Sequence, residues 1–179
     1  MKKTVLIFGL ISGSIVTAFM VYASTACYKN ADFKTSEVVG YAGMLIAFSF
    51  IFVGIKNYRD KFNNGVISFG KAFKTGLYIS LIASSLYVGV WLIEYYLFMP
   101  DWLDKYCTHV INAKKAGGVS STEVDKTISQ MASMQEMYKN PLFVILFTYV
   151  EVLPIGIIIS LISALILKRK EGKPKVAIA

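Results

Sequence analysis

Four long apolar runs occupy half of this chain and decide what it can fold into. They cover residues 4–26, 38–55, 76–99 and 142–167, with lengths of 23, 18, 24 and 26, and only the last two contain a charged residue, one each. A hydrocarbon slab about 30 Å thick is crossed by roughly 20 helical residues. Four such runs in 179 residues leave little material for a soluble core. The runs also lack the apolar–polar alternation of barrel strands, the other structure that satisfies its backbone inside lipid. The expected fold is an all-α membrane protein: a four-transmembrane-helix bundle with a short extracytoplasmic helical hairpin at 100–141. It forms a single domain over residues 1–170, followed by a short basic tail at 171–179. Overall composition agrees, at 55% hydrophobic residues with a mean hydropathy of +0.56.

The net charge of +8 raises the possibility of a nucleic-acid partner, but its distribution answers otherwise. The N-terminus, the link between the second and third runs, and the C-terminal tail together hold 12 basic and 2 acidic residues. The alternate links, 27–37 and 100–141, hold 7 of each. Cytoplasmic segments of membrane proteins are enriched in Lys and Arg. Every segment therefore fits a multi-pass protein of the bacterial inner membrane with both termini cytoplasmic. Lys56, Arg59, Lys61, Lys71, Lys74, Lys168, Arg169 and Lys170 then become contacts for anionic inner-leaflet headgroups, and no nucleic acid is expected. Two readings of the first run stay open. The Lys2-Lys3 start and the small residues before Cys27 resemble a cleavable signal peptide, although the run from Val5 to Tyr22 is longer than a usual signal core. Cleavage would leave three spans. Cys27 and Cys107 both fall on the outer side, as a possible disulfide or as two thiols.

Each run carries small residues four apart: Gly9/Gly13, Gly43/Ala47, Gly76/Ser80 and Gly156/Ser160. Such patterns let helices approach closely in lipid. Gly9 and Gly13 could instead mark a homodimer face. Between the second and third runs, Asn63-Asn64-Gly65 is turn chemistry. Phe69 and Phe73, set among lysines, read either as an interfacial segment or as the ordered entrance to the third span. In the outer hairpin, Trp102, Leu103, Tyr106, Val110 and Ile111 form one apolar side, and Gly117-Gly118 stops the helix. Ser120-Ser121-Thr122-Glu123 is a capping box for the next. Asn140-Pro141 suits the start of the fourth span.

Familiar catalytic and metal-binding sets are missing from the chain: there is no phosphate loop, no CxxC and no HExxH, and there is one histidine, His109. No cofactor, metal or catalytic residue is therefore assigned, and enzyme activity is the reading expected least. The sharp feature is the pair of intramembrane carboxylates, Glu94 and Glu151. At 1.5 Å per residue they lie roughly 8 and 14 Å below the outer boundary. A charge there costs about 2.5–3.5 kcal/mol on insertion scales, so each should face the bundle, be protonated or find a partner. Two neighbouring carboxyls could share a proton and serve as a proton or cation site. Structurally, Pro154 removes the donor for the Val150 carbonyl, and Glu151 could cap the resulting kink.

The run GVISFGKAFKTG at 65–76, with EVLPIG at 151–156 and SLISALILKRK at 160–170, resembles the bacterial four-span membrane family catalogued as domain of unknown function 4199. That resemblance implies the same architecture and assigns no activity or site residue. The expected role is non-enzymatic, through packing or contact with a membrane-protein partner in the cell envelope. The alternative is a small transporter or proton-coupled channel using Glu151 and Glu94.

Overall fold

The computed structural model describes residues 1–30 and 33–169. Lys170 and the tail 171–179 lie outside the described residues, as does part of the first link. Six α-helices follow in order: α1 Lys2–Asn30, α2 Phe33–Phe62, α3 Phe69–Ile93, α4 Trp102–Ala116, α5 Ser121–Tyr138 and α6 Pro141–Leu167. A single π-helical turn, Glu94–Phe98, extends α3. Four helices are long and apolar enough to cross a membrane: α1, α2, α3 with its π turn, and α6. The protein is an all-α, multi-pass membrane bundle. Its exposed residues agree, since Leu97, Val150, Val38 and Ile166 are each at least 65% exposed and would otherwise face water.

Around the bundle the spans run α1, α2, α6, α3, with α2 and α3 also touching across the middle. Close approach depends on the small residues. A Cβ built on Gly156 would meet Ser80 Oγ at 2.8 Å, and one on Gly76 would meet Ser160 at 2.9 Å. The glycine of each helix thus receives the serine of the other. The two serine hydroxyls lie 3.0 Å apart; one donates to the other, and the accepting serine keeps its own proton on the carbonyl one turn back, Gly76 for Ser80 or Gly156 for Ser160. On the opposite side, Gly43 receives Phe19 and Gly54 receives Phe8 and Ile79. Gly9 and Gly13 are buried against Ile82, Ala83 and Leu86 of α3. The face considered for a homodimer is therefore already occupied within the chain, where glycine lets α1 and α3 come together.

Four crossings put the start of α1, the end of α6 and the α2–α3 link at one end, here the linker end, and α4–α5 at the other, the hairpin end. At the linker end the chain turns through Asn64 (φ 51°) and Gly65 (φ 75°). Ile67, fully buried, then pairs its backbone with Arg169 in both directions, at 3.0 and 2.9 Å. Ser68 caps α3 through the Lys71 amide. Phe69 and Phe73 stack within that first turn, so the segment is the ordered entrance to the third span. Lys56, Lys61, Lys71, Lys74, Lys168 and Arg169 are exposed there. Arg59 differs: it binds Asp60 at 2.6 Å and reaches the Leu167 carbonyl at 3.4 Å.

The hairpin forms as its residues direct. Ser120 accepts from the Glu123 amide to open α5, and Asn140 accepts from the Leu142 amide ahead of Pro141 to open α6. Gly118 takes φ 68° between the two hairpin helices, a conformation that only glycine adopts without strain. Lys105 sits 3.6 Å over the Tyr28 ring and 3.1 Å from Asp101, whose carboxylate accepts the Tyr28 hydroxyl. This cluster seats α4 on the end of α1.

Candidate functional site: a cavity beneath the hairpin

Along α3 and α6 small residues hold the linker half together, and large ones replace them toward the hairpin. Tyr87 and Trp91 on α3, Tyr41 on α2 and Phe147 on α6 stand where glycine and serine stood lower down. Between them lies a cavity of about 510 Å³ to which all six helices contribute. Trp102, Leu103 and Tyr106 of α4 and Met134 and Tyr138 of α5 roof it. Trp91 meets Trp102 edge-on with centroids 5.2 Å apart, tying the wall to the roof. These two tryptophans are the only ones in the chain, and both line the cavity.

The cavity is not closed. Its exposed lining residues are Tyr41 of α2 and Phe147, Val150 and Glu151 of α6, Tyr41 at 54% and Val150 at 71%. Tyr41 lies three residues into the α2 span and Glu151 ten residues into α6. At 1.5 Å per residue Tyr41 and Glu151 lie roughly 5 and 15 Å from the hairpin ends of their spans.

Glu151 is exposed and is among the residues lining the cavity. It is close enough to act on Tyr138, whose hydroxyl is pushed above its ordinary value by burial first and then by the Glu151 charge. Pro154 lies one turn further along an unbroken α6. It offers no N–H to the carbonyl of Val150, so an acceptor lacking its helical donor sits on the residue beside Glu151.

Glu94 occupies a different wall. The π turn, closed by the Met99 amide on the Glu94 carbonyl at 2.9 Å, lets Glu94 and Tyr95 both be buried, at 6% and 8% exposure. Its Oε1 accepts from Ser24 at 2.9 Å and from Thr25 at 3.4 Å on α1. Its other oxygen is buried and makes no hydrogen bond among the described residues. Ser24 itself lines the cavity. The two carboxylates thus approach one chamber from opposite sides, Glu151 directly and Glu94 behind a serine.

Cys27 and Cys107 are both buried and no disulfide joins them. Cys107 turns its sulfur to the Met131 carbonyl across the hairpin, and burial pushes its thiol upward in pKa. Among the described residues no group of three His, Cys, Asp or Glu side chains is placed to hold a metal.

Reasoning from sequence missed the π turn, the Ser24–Glu94 bond and the cavity itself. The signal for the cavity was the crowding of aromatics near the hairpin end, which reads equally well as an interfacial aromatic belt. A family model described as a protein of unknown function (DUF4199) matches residues 7–169, nearly the whole chain. The chain belongs to that family. No curated protein and no solved structure matches it.

Proposed function

We propose that this member of the DUF4199 family is a non-enzymatic binding protein of the bacterial cytoplasmic membrane, with both termini cytoplasmic and the hairpin outside. Its working site is the hairpin-end cavity, which takes a lipid-soluble molecule from the outer half of the bilayer. The 12-to-2 basic excess at the linker end supports the orientation. The exposure of Tyr41, Val150 and Glu151, lining residues that lie within the α2 and α6 spans, carries the binding reading, and we read it as a lateral mouth between those helices. Pockets of about 300–1,000 Å³ lined by apolar and aromatic side chains with a few polar groups are the usual form of small-molecule sites. Ile128 and Met137, exposed on the hairpin, offer a membrane-protein partner a surface beside the roof.

The test uses the two cavity tryptophans as reporters. Lipids brominated on their acyl chains quench tryptophan only on contact, and in nanodiscs they should quench Trp91 and Trp102 strongly. Gly40 has nothing within 4 Å of where its Cβ would stand, so Gly40→Leu obstructs the rim without disturbing packing. That variant should lose most of the quenching. Quenching unchanged in Gly40→Leu would overturn the lateral-mouth reading.

One observation favours a second reading, a proton-coupled transporter. The oxygen of Glu94 that makes no hydrogen bond among the described residues belongs to a carboxylate held by Ser24, which lines the same cavity as Glu151. Carboxyls so placed can hold and pass a proton. Glu151→Gln keeps the shape and removes the ionisable proton. If that variant accumulates normally and complements a deletion strain fully, the relay reading fails.

A further inference from the structure

We infer that Glu94 and Ser24 form a proton-binding site in the cavity wall, occupied at neutral pH, in which Glu94 is a neutral carboxylic acid donating to Ser24 Oγ. This rests on the proton-coupled reading and deepens it by naming where the proton is held.

The number of protons available decides the direction of the bond. Ser24 has one hydroxyl proton, and its oxygen lies 2.8 Å from the Met20 carbonyl, 3.2 Å from the Val21 carbonyl and 2.9 Å from Glu94 Oε1. A hydroxyl inside a helix commonly turns to the carbonyl one turn back, as Thr75 does to Lys71 and Thr148 to Val144. With the Ser24 proton on Met20, two oxygens 2.9 Å apart still need a proton between them, and the carboxyl supplies it.

The opposite assignment leaves a charged carboxylate with little to hold it. Ser24 would give up Met20, Thr25 would add a long contact of 3.4 Å, and Oε2 would stay buried without a donor among the described residues. Glu94 is 6% exposed, and no ion pair among the described residues includes it. A buried carboxylate keeps its charge through a nearby cation or several donors. A neutral acid leaves bare only an uncharged carbonyl oxygen, which is the smaller penalty.

The surroundings offer no cation in exchange. Tyr95 follows Glu94 in the π turn, and Tyr87 and Cys27 line the cavity with Ser24. Phenols and thiols are largely uncharged at pH 7. Glu151 is the charged side chain sharing that cavity, and it is acidic. At the end of α1, Lys105 is paired with Asp101 beside Tyr28. Loss of the Glu94 proton would turn the Ser24 hydroxyl from Met20 to the new carboxylate, so a lining residue of the cavity reports the state of the site.

Infrared spectra of the purified protein in dodecylmaltoside micelles at pH 7 read the carboxyl directly. A protonated carboxyl has a C=O stretch above the amide band, and a carboxylate has none there. The expected spectrum contains such a band, shifted in heavy water, absent in Glu94→Gln and present in Glu151→Gln. Ser24→Ala should move it to higher wavenumber as the hydrogen bond is lost, and Ser24→Thr should leave it near its original place. A wild-type spectrum without the band would overturn the inference, as would a band that survives Glu94→Gln. If Glu94→Gln does not fold, Ser24→Ala decides, and a band that stays in place there overturns the site. Complementation by Glu151→Gln tests the proton-coupled reading separately. The expected band alongside full complementation leaves the proton site standing and removes transport. No band alongside failed complementation removes the site and leaves the coupled reading.

Discussion

The α3–α6 crossing makes the sharpest demand on particular atoms, and Gly156→Ala tests it. A methyl at Gly156 would lie 2.8 Å from Ser80 Oγ, 2.9 Å from Ser80 Cβ and 3.3 Å from Phe48 Cε1. Ordinary heavy-atom contact is about 3.5–4.0 Å, so the helices must separate by roughly half an ångström or more. Ser80 cannot swing aside cheaply, because its hydroxyl is engaged with Ser160 and the Gly76 carbonyl. Overpacking costs about 1–3 kcal/mol, and an interhelical hydrogen bond in a membrane protein is worth about 0.6 kcal/mol on average. The sum is about 2–4 kcal/mol. Reversible unfolding in mixed SDS micelles measures it, with Gly89→Ala as control, since nothing lies within 4 Å of the Cβ there. The double variant Gly156→Ser with Ser80→Gly exchanges knob for hole and should recover most of the loss. Gly156→Ala as stable as Gly89→Ala would refute the crossing as described.

Other outcomes follow from the same coordinates. Ile67→Ala should cost about 2–4 kcal/mol by the same unfolding measurement, because Ile67 is fully buried and its space would stay empty; faster amide exchange at Arg169 would show the paired backbone loosening. Ser24→Ala removes the shorter of the two hydrogen bonds to Glu94 and should cost about 1–3 kcal/mol, whereas Ser24→Thr should retain most of it. The hairpin seat should weaken in acid. The Tyr28 hydroxyl first, and Lys105 second, hold Asp101 below the usual carboxylate range. A depressed folded pKa contributes stability that is present above the unfolded value, about 3.9, and is lost as pH falls through the folded one. Amide exchange in α4 should therefore accelerate below about pH 4, and Asp101→Asn should show the faster exchange at neutral pH with no further acid step.

The spans and the hairpin were legible because each rests on a one-dimensional signal. Twenty apolar residues in a row mark a span whatever their neighbours do, and Ser120, Asn140 and Pro141 cap helices through bonds that reach only two or three residues. The helices nevertheless overran the apolar runs, α2 reaching Phe62 rather than residue 55, since backbone hydrogen bonding continues past the hydrophobic boundary. The site was half legible. Glu94 and Glu151 are conspicuous in any apolar run, but which way each faces depends on helix rotation and, for Glu94, on a π turn that shifts the register of everything after it. Ser24 was visible only as a small residue near Cys27; its partner lies 70 positions away. Likewise Gly9 and Gly13 spell a packing face without saying whose.

Fold and site share one cause, the graded size of side chains along the bundle. Interaxial distance follows the residues at the contact, about 8–10 Å in ordinary packings. At the level of Gly76 and Gly156 the α3–α6 pair closes until serines touch glycine backbone. Two to four turns toward the hairpin the same helices present Tyr87, Trp91 and Phe147 and cannot close. Helices pinned at one level and wedged at another leave room near the hairpin, where Gly40 lines the cavity with open space around the position of a Cβ. A bundle built only to pack would fill that room with Leu or Ile. Here the cavity lining holds a glycine and a carboxylate, residues that fill it poorly. The linker-end crossing is therefore a requirement of the site as well as of the fold. Gly156→Ala should change tryptophan quenching by brominated lipid even though residue 156 touches no part of the cavity lining; unaltered quenching in a destabilised Gly156→Ala would separate the two and refute the common cause.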